Sequence, residues 1–162
     1  MSKICIYGAG SIGCYLGGRI LAGGSDVSFI GRARIADQLR SQGITLSRHD
    51  DSCWHLPRER VDVSTDAATV AAADLVLVTV TSAATPTAAA ELANLLRASM
   101  IVVSFQSGVD NADVLRVALP QHTVLEEMVL FNVVERGLAA PACVAGTQRA
   151  ISQGANPGYF IA

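Results

Sequence analysis

The chain has 162 residues, a formal net charge of −2, and 51% apolar against 16% charged side chains, which suits one packed domain and excludes disorder. That charge leaves no electrostatic footprint for nucleic acid or an anionic membrane surface, and no stretch reaches the ~18 uninterrupted apolar residues of a membrane span. Cys5, Cys14, Cys53 and Cys143 show no C-x-x-C spacing, which fits a reduced, cytoplasmic protein better than a disulfide framework.

Residues 4–7, Ile-Cys-Ile-Tyr, are the short β-prone run of a fully buried strand. Gly8-Ala9-Gly10-Ser11-Ile12-Gly13 follows directly, a G-x-G-x-x-G that ends a strand and opens a helix, with Ile12, Leu16, Ile20 and Leu21 at one-turn spacing. Gly8 permits a sharp turn, Gly10 lets backbone approach a pyrophosphate, and Gly13 lets helix and strand pack closely. The helix N-terminus offers free N–H groups to the phosphates, so all six residues are candidate cofactor contacts.

Residues 26–30 read as the second strand, ending in Gly31-Arg32. NAD-specific folds place an acidic residue there for the ribose 2′-hydroxyl, whereas an Arg accommodates a 2′-phosphate. Arg32, with Arg34 close behind, therefore favours NADP. Residues 33–42 read as a helix stopped by Gly43, and 44–46 with 54–56 as a hairpin around a polar turn at 48–52. His49, Cys53 and His55 lie near one another, but no fourth ligand stands at a recognised spacing, so no metal is expected.

Residues 61–63 follow as a strand, 66–73 as a short helix, and 74–80 as the clearest buried strand. Thr81-Ser82 then sits at the C-terminal strand end, where open α/β sheets bind ligands. An Ala-rich helix over 83–98 tolerates Pro86 in its first turn. A strand over 100–105 ends in Gln106-Ser107-Gly108; a helix over 111–118 and a last strand over 123–134 complete the pattern. Strands alternating with helices predict a doubly wound, parallel Rossmann-type α/β sheet over 1–136 with a small hairpin insertion. Residues 137–162 carry no sustained period and read as an irregular, loosely attached tail. Glu126-Glu127 cannot both face solvent if strand alternation holds, so that strand is either a sheet edge or poorly formed.

Taken together, residues 3–21, Phe29-Ile30-Gly31-Arg32, Ala73 to Val80, and Val103-Ser104-Phe105-Gln106 with Gly108 and Val109 resemble the N-terminal domain of the ketopantoate reductase (2-dehydropantoate 2-reductase) family. The resemblance implies NADPH-dependent reduction of ketopantoate, or a similar small 2-keto acid, on the path to pantothenate and coenzyme A. It implies cofactor contacts from the glycine turn, Arg32, Thr81, Ser82, Gln106 and Ser107. It also implies a helical second domain of comparable size, absent from these 162 residues.

The chain departs from the family pattern in three ways. Thr81 stands where the family has a Lys that helps hold the 2′-phosphate, which should weaken NADPH binding about ten- to a hundredfold. Ser107 replaces an Asn that reaches towards nicotinamide and substrate. The proton donor that the developing alkoxide needs comes, in the family, from a Lys of the second domain. Lys3 is the only lysine here and begins the first strand, His122 precedes its strand, and Glu135 reads as a surface acid, so no catalytic residue is assigned. The chain is thus expected to bind nucleotide weakly, to turn over little or nothing, and to self-associate through uncovered apolar surface. The alternative is a non-catalytic NAD(P)-sensing or interaction module, against which the missing acid after strand two counts.

Overall fold

The computed structural model describes residues 2–47, 53–129, 131–136 and 143–147. Its centre is β1 (Lys3–Tyr7), flanked on one side by β2 (Asp26–Ile30) and on the other by β6 (Leu75–Val78). β5 (Asp62–Ser64) extends the sheet beyond β2, while β7 (Ile101–Gln106) and β8 (Thr123–Met128) extend it beyond β6. Every pairing in this six-stranded sheet is parallel and the order is β5-β2-β1-β6-β7-β8, the doubly wound arrangement expected from the sequence. The order reverses between β1 and β6, and there the C-terminal strand ends open a crevice.

Strand alternation divides the core between the two faces. Cys5, Tyr7, Val76, Val78 and Val102 point to one side, where α3 (Thr85–Leu95) and α4 (Asn111–Ala118) supply Ala88, Ala89, Leu92 and Leu115. Ile6, Val27, Phe29 and Leu77 point to the other, against Cys14 and Leu21 of α1 (Ser11–Ala22) and Ile35 and Leu39 of α2 (Ala33–Gln42). The second of these helices begins and ends at its expected limits.

A second layer lies beyond α1. The hairpin of β3 (Ile44–Ser47) and β4 (Cys53–Leu56) forms as expected, but it is half of a four-stranded sheet of order β4-β3-β10-β9. Ile44 and Leu46 are buried against the α1 side, and Gly18 of that helix lies close to both. β10 (Cys143–Thr147) runs parallel to β3 and antiparallel to β9 (Asn132–Arg136). This corrects two expectations. The single strand foreseen over 123–134 is two strands in two sheets, with Phe131 between them in a tilted ring contact with Tyr15 of α1, centroids 5.5 Å apart. Within the segment foreseen as irregular, residues 143–147 are a paired strand. The rest of that segment and the polar turn at 48–52 lie outside the described residues.

Smaller differences follow the packing. The strand expected over 74–80 is regular only from Leu75 to Val78, and the helix expected over 83–98 is a 3-10 turn at Ser82–Ala84 followed by α3. The short helix expected over 66–73 is a 3-10 segment, Ala67–Ala72, capped by the Asp66 carboxylate on the Ala68 N–H at 2.9 Å. The acidic pair resolves as an edge: β8 is the last strand of its sheet, Glu126 and Glu127 are both exposed, and Arg116 reaches Glu126 at 3.5 Å. Among the described residues no helix is long and apolar enough to cross a membrane.

The central strand sets a pH limit on stability. Cys5 is fully buried, and burial pushes its thiol up to about 11 from an ordinary 9.0, with a hydrogen bond to Ser28 acting the other way. The Tyr7 phenol is raised too, by burial and then by its hydrogen bond to Glu91. A group whose folded pKa is raised contributes fully below its unfolded value and loses that contribution as pH climbs through the folded one. The melting temperature is therefore expected to hold up to pH 9.0 and fall between there and about pH 11, less steeply in a Cys5→Ala variant. A thermal scan across that range in which the fall is unchanged by Cys5→Ala contradicts this assignment.

Candidate functional site

The turn after β1 is braced from both neighbouring strands. Gly8 adopts φ +113, a conformation that L side chains avoid. The N–H groups of Gly8 and Ala9 donate to the Ile30 carbonyl of β2 at 3.0 and 2.8 Å, while the Thr79 hydroxyl beyond β6 donates to the Gly8 carbonyl at 2.8 Å. Ala9 is thereby spent on structure: its side chain is buried, and its Cβ lies 2.8 Å from where Gly31 would carry one.

The glycines at the second and third motif positions are used differently. A Cβ on Gly13 would stand 2.4 Å from the Gly8 carbonyl oxygen, 2.6 Å from the Thr79 hydroxyl and 2.9 Å from Ile6 Cγ2, so close contact of helix, turn and strand requires glycine. A Cβ on Gly10 would have nothing within 4 Å. Gly10 is the N-cap of α1, no side chain caps the helix, and no acid occupies its first turn. Ser11 and Ile12, both half-buried, thus begin a helix whose terminal N–H groups and partial positive charge are uncompensated beside open space. This is the chemistry of a phosphate cradle.

Arg32 is the N-cap of α2, directly beyond β2, and Arg34 lies in that helix's first turn. Both are exposed, and neither guanidinium has a hydrogen-bond or ion-pair partner among the described residues. Other arginines are engaged: Arg40 with Val63 at 3.1 Å, Arg60 with Leu21 at 3.0 Å, Arg97 with Ala73 at 2.7 Å and Arg116 with Asp113 at 2.7 Å. A free guanidinium beside a phosphate cradle is a ready second anion contact.

The far wall of the crevice is formed by the loops after β6 and β7. Thr81 and Ser107 are exposed there. Ser82 is held by its neighbours, its hydroxyl donating to the Ser107 carbonyl at 3.0 Å and accepting from Asn111 at 3.1 Å. Gln106 is 4% exposed and turned inward: its Nε2 donates to the Val80 carbonyl at 2.7 Å and to the Thr85 hydroxyl at 2.8 Å. Gln106 ends β7 as expected, but its amide, foreseen as a cofactor contact, is spent on acceptors inside the wall. It shares its face with Val102 and Ser104, the one covered by α3 and α4. Thr85 and Asn111, buried and hydrogen-bonded at 3.1 Å, were not singled out by sequence reasoning; an Asn opening a helix reads simply as a cap type.

The proton-transfer groups stand elsewhere. Lys3, at the opposite end of the sheet, pairs with Asp62 at 3.3 Å, and the His122 Nε2 lies 3.2 Å from the Arg97 carbonyl, also at the N-terminal edge. His55 in β4 meets the Thr45 hydroxyl at 3.0 Å. Among the described residues no Lys or His stands at the crevice, and no group of three His, Cys, Asp or Glu could hold a metal. His49 lies outside the described residues, and of the Glu135 side chain nothing is described.

The model of the family described as ketopantoate reductase PanE/ApbA matches residues 4–156. A 2-dehydropantoate 2-reductase of Halobacterium salinarum is 33% identical over 124 residues, covering 76% of this chain and 40% of its own length. The crystal structure of a PanE/ApbA family ketopantoate reductase from Ralstonia eutropha superposes with a TM-score of 0.72 at 32% identity, over 89% of this chain and 46% of the other. A D-mandelate dehydrogenase in a ternary structure with NADH and anilino(oxo)acetate has a TM-score of 0.71 over 90% of this chain and 45% of its own, but at 17% identity it speaks for the fold alone. The chain thus spans less than half the length of these relatives.

Proposed function

This chain belongs to the ketopantoate reductase PanE/ApbA family, and on that premise we propose that it forms the NADPH-binding part of a reductase acting on ketopantoate or a similar 2-keto acid. The observation that carries this reading is the pairing of an open glycine cradle at Gly10 with an exposed, unpaired Arg32 at the end of the neighbouring strand. The N–H groups at Ser11, Ile12 and Gly13 take the diphosphate, and Arg32, backed by Arg34, takes the 2′-phosphate. Thr81 and Ser107 border the nicotinamide end. When bound, the cofactor supplies the hydride that reduces the keto carbon.

The remaining requirement is a proton for the developing alkoxide, and the described residues of the crevice hold no group placed to give it. We therefore assign nucleotide binding, and not turnover, to these 162 residues alone. The assay is ketopantoate-dependent oxidation of NADPH by the purified chain, followed by absorbance. No turnover above the rate without protein is expected; measurable turnover overturns the assignment. A cytoplasmic location and self-association through uncovered apolar surface belong to the same proposal; on β8, the last strand of its sheet among the described residues, Leu125 and Met128 are 51% and 48% exposed.

A further inference from the structure

Behind the far wall of the crevice runs a chain of side-chain hydrogen bonds with one direction. The Ser104 hydroxyl donates to Gln106 Oε1 at 3.0 Å, and Gln106 Nε2 donates to the Thr85 hydroxyl at 2.8 Å. The Thr85 hydroxyl donates to Asn111 Oδ1 at 3.1 Å, with the Thr81 carbonyl a more distant acceptor at 3.4 Å; Asn111 Nδ2 donates to the Ser82 hydroxyl at 3.1 Å, and Ser82 donates to the Ser107 carbonyl at 3.0 Å. Each group accepts from the one before and donates to the one after, so the links polarise one another. Ser104, Gln106, Thr85 and Asn111 are at most 6% exposed, and breaking one link strands a buried partner.

The direction is fixed by carbonyls at both amides. Gln106 Nε2 also faces the Val80 carbonyl at 2.7 Å, and Asn111 Nδ2 also faces the Ser107 and Gly108 carbonyls at 3.0 and 3.3 Å. Neither amide can reverse without setting oxygen against oxygen. The chain ties the end of β6, the 3-10 turn at Ser82–Ala84, the start of α4 and the loop after β7 into one unit. That loop turns at Gly108, where φ is +116, and Asn111 holds the carbonyls of the peptide links before and after that residue. None of these hydrogen bonds runs to the glycine turn or Arg32; the nearest approach is Val80, whose carbonyl accepts from Gln106 and whose side chain lies beside Gly8.

Resting on the reading of the crevice as a nucleotide site, we infer that Asn111 and Thr85 are positioning residues that fix the nicotinamide-side wall independently of the adenosine-side cradle. The two halves of the site are then separable by ligand. Adenosine 2′,5′-bisphosphate occupies only the Arg32 side, whereas NADPH needs both walls.

The test measures both ligands by calorimetry on the full chain. The variants are Asn111→Asp, which replaces the donating amide by an acceptor, and Thr85→Val, which removes the middle hydroxyl at nearly constant shape. NADPH affinity is expected to fall about tenfold in each, from the loss of buried hydrogen bonds that order the wall. Adenosine 2′,5′-bisphosphate affinity should stay within about twofold, because none of its contacts moves. Thr85→Ser, which restores the hydroxyl, should recover NADPH binding, and this pair decides the matter if Asn111→Asp does not fold. Equal weakening of both ligands, or of neither, overturns the inference while leaving the nucleotide site intact. Failure of the unsubstituted chain to bind either ligand instead overturns the nucleotide-site reading itself, and the inference with it.

Discussion

A Gly13→Ala substitution is expected to destabilise the chain by about 3 kcal/mol, the upper range for overpacking a site that cannot relax. The new Cβ would meet the Gly8 carbonyl oxygen at 2.4 Å and the Thr79 hydroxyl at 2.6 Å. Neither neighbour is free to retreat. The Gly8 carbonyl already accepts from that hydroxyl, and the Gly8 N–H is tied to Ile30. Alanine's advantage over glycine inside a helix is only about 1 kcal/mol and does not offset the clash.

Gly10→Ala is the informative companion. Its Cβ meets nothing within 4 Å, and its backbone, at φ −94 and ψ −166, is ordinary extended chain for any residue. Stability should change by less than about 0.5 kcal/mol, as for a surface position. The methyl does, however, occupy the path by which backbone approaches a diphosphate, so NADPH affinity should drop by about tenfold or more. Urea denaturation with a parallel binding titration separates the two glycines. If Gly10→Ala binds as tightly as the unsubstituted chain, the cradle is not a phosphate site.

Replacing Arg32 with alanine should weaken NADPH binding about ten- to a hundredfold, equivalent to the roughly 1.5–3 kcal/mol of a charge-assisted contact. NADH, which lacks the 2′-phosphate, should be unaffected. Arg32 is exposed and its guanidinium has no partner among the described residues, so its removal leaves no other group unpaired and should not disturb folding. Its contribution should also shrink with added salt. Equal losses for NADPH and NADH would mean that Arg32 contacts something common to both, and the assignment of cofactor preference to this residue would fail.

The parts of the fold that the sequence made legible are those governed by local rules. β1, the glycine turn and α1 are marked by a buried run, a G-x-G-x-x-G and one-turn apolar spacing, and α2 and α4 are bounded by Gly43 and Pro120. The split between β8 and β9 is hidden because the run from Val124 to Val134 contains no Gly or Pro to show where the chain leaves one sheet for another. β10 is hidden for a different reason. Its partner β3 lies far back in the sequence, and Pro141 and Gly146 around it read as loop.

The site divides in the same way. The cradle and Arg32 follow from motif position, since a strand end, a glycine and a charge are all local features. The inward turn of Gln106 and its bond to Thr85 become visible only when β6 and β7 are neighbours and α3 packs beneath them. The same adjacency brings Asn111 to Ser82 and Ser107, which no spacing in the sequence announces.

A fluorescence or calorimetric titration of the purified chain with NADPH and, separately, with NADH asks whether these residues form a working NADPH site. Saturable binding with NADPH preferred by about tenfold or more is the predicted result, the margin that one retained guanidinium–phosphate contact supplies. Binding of neither nucleotide, or of both equally, would contradict it.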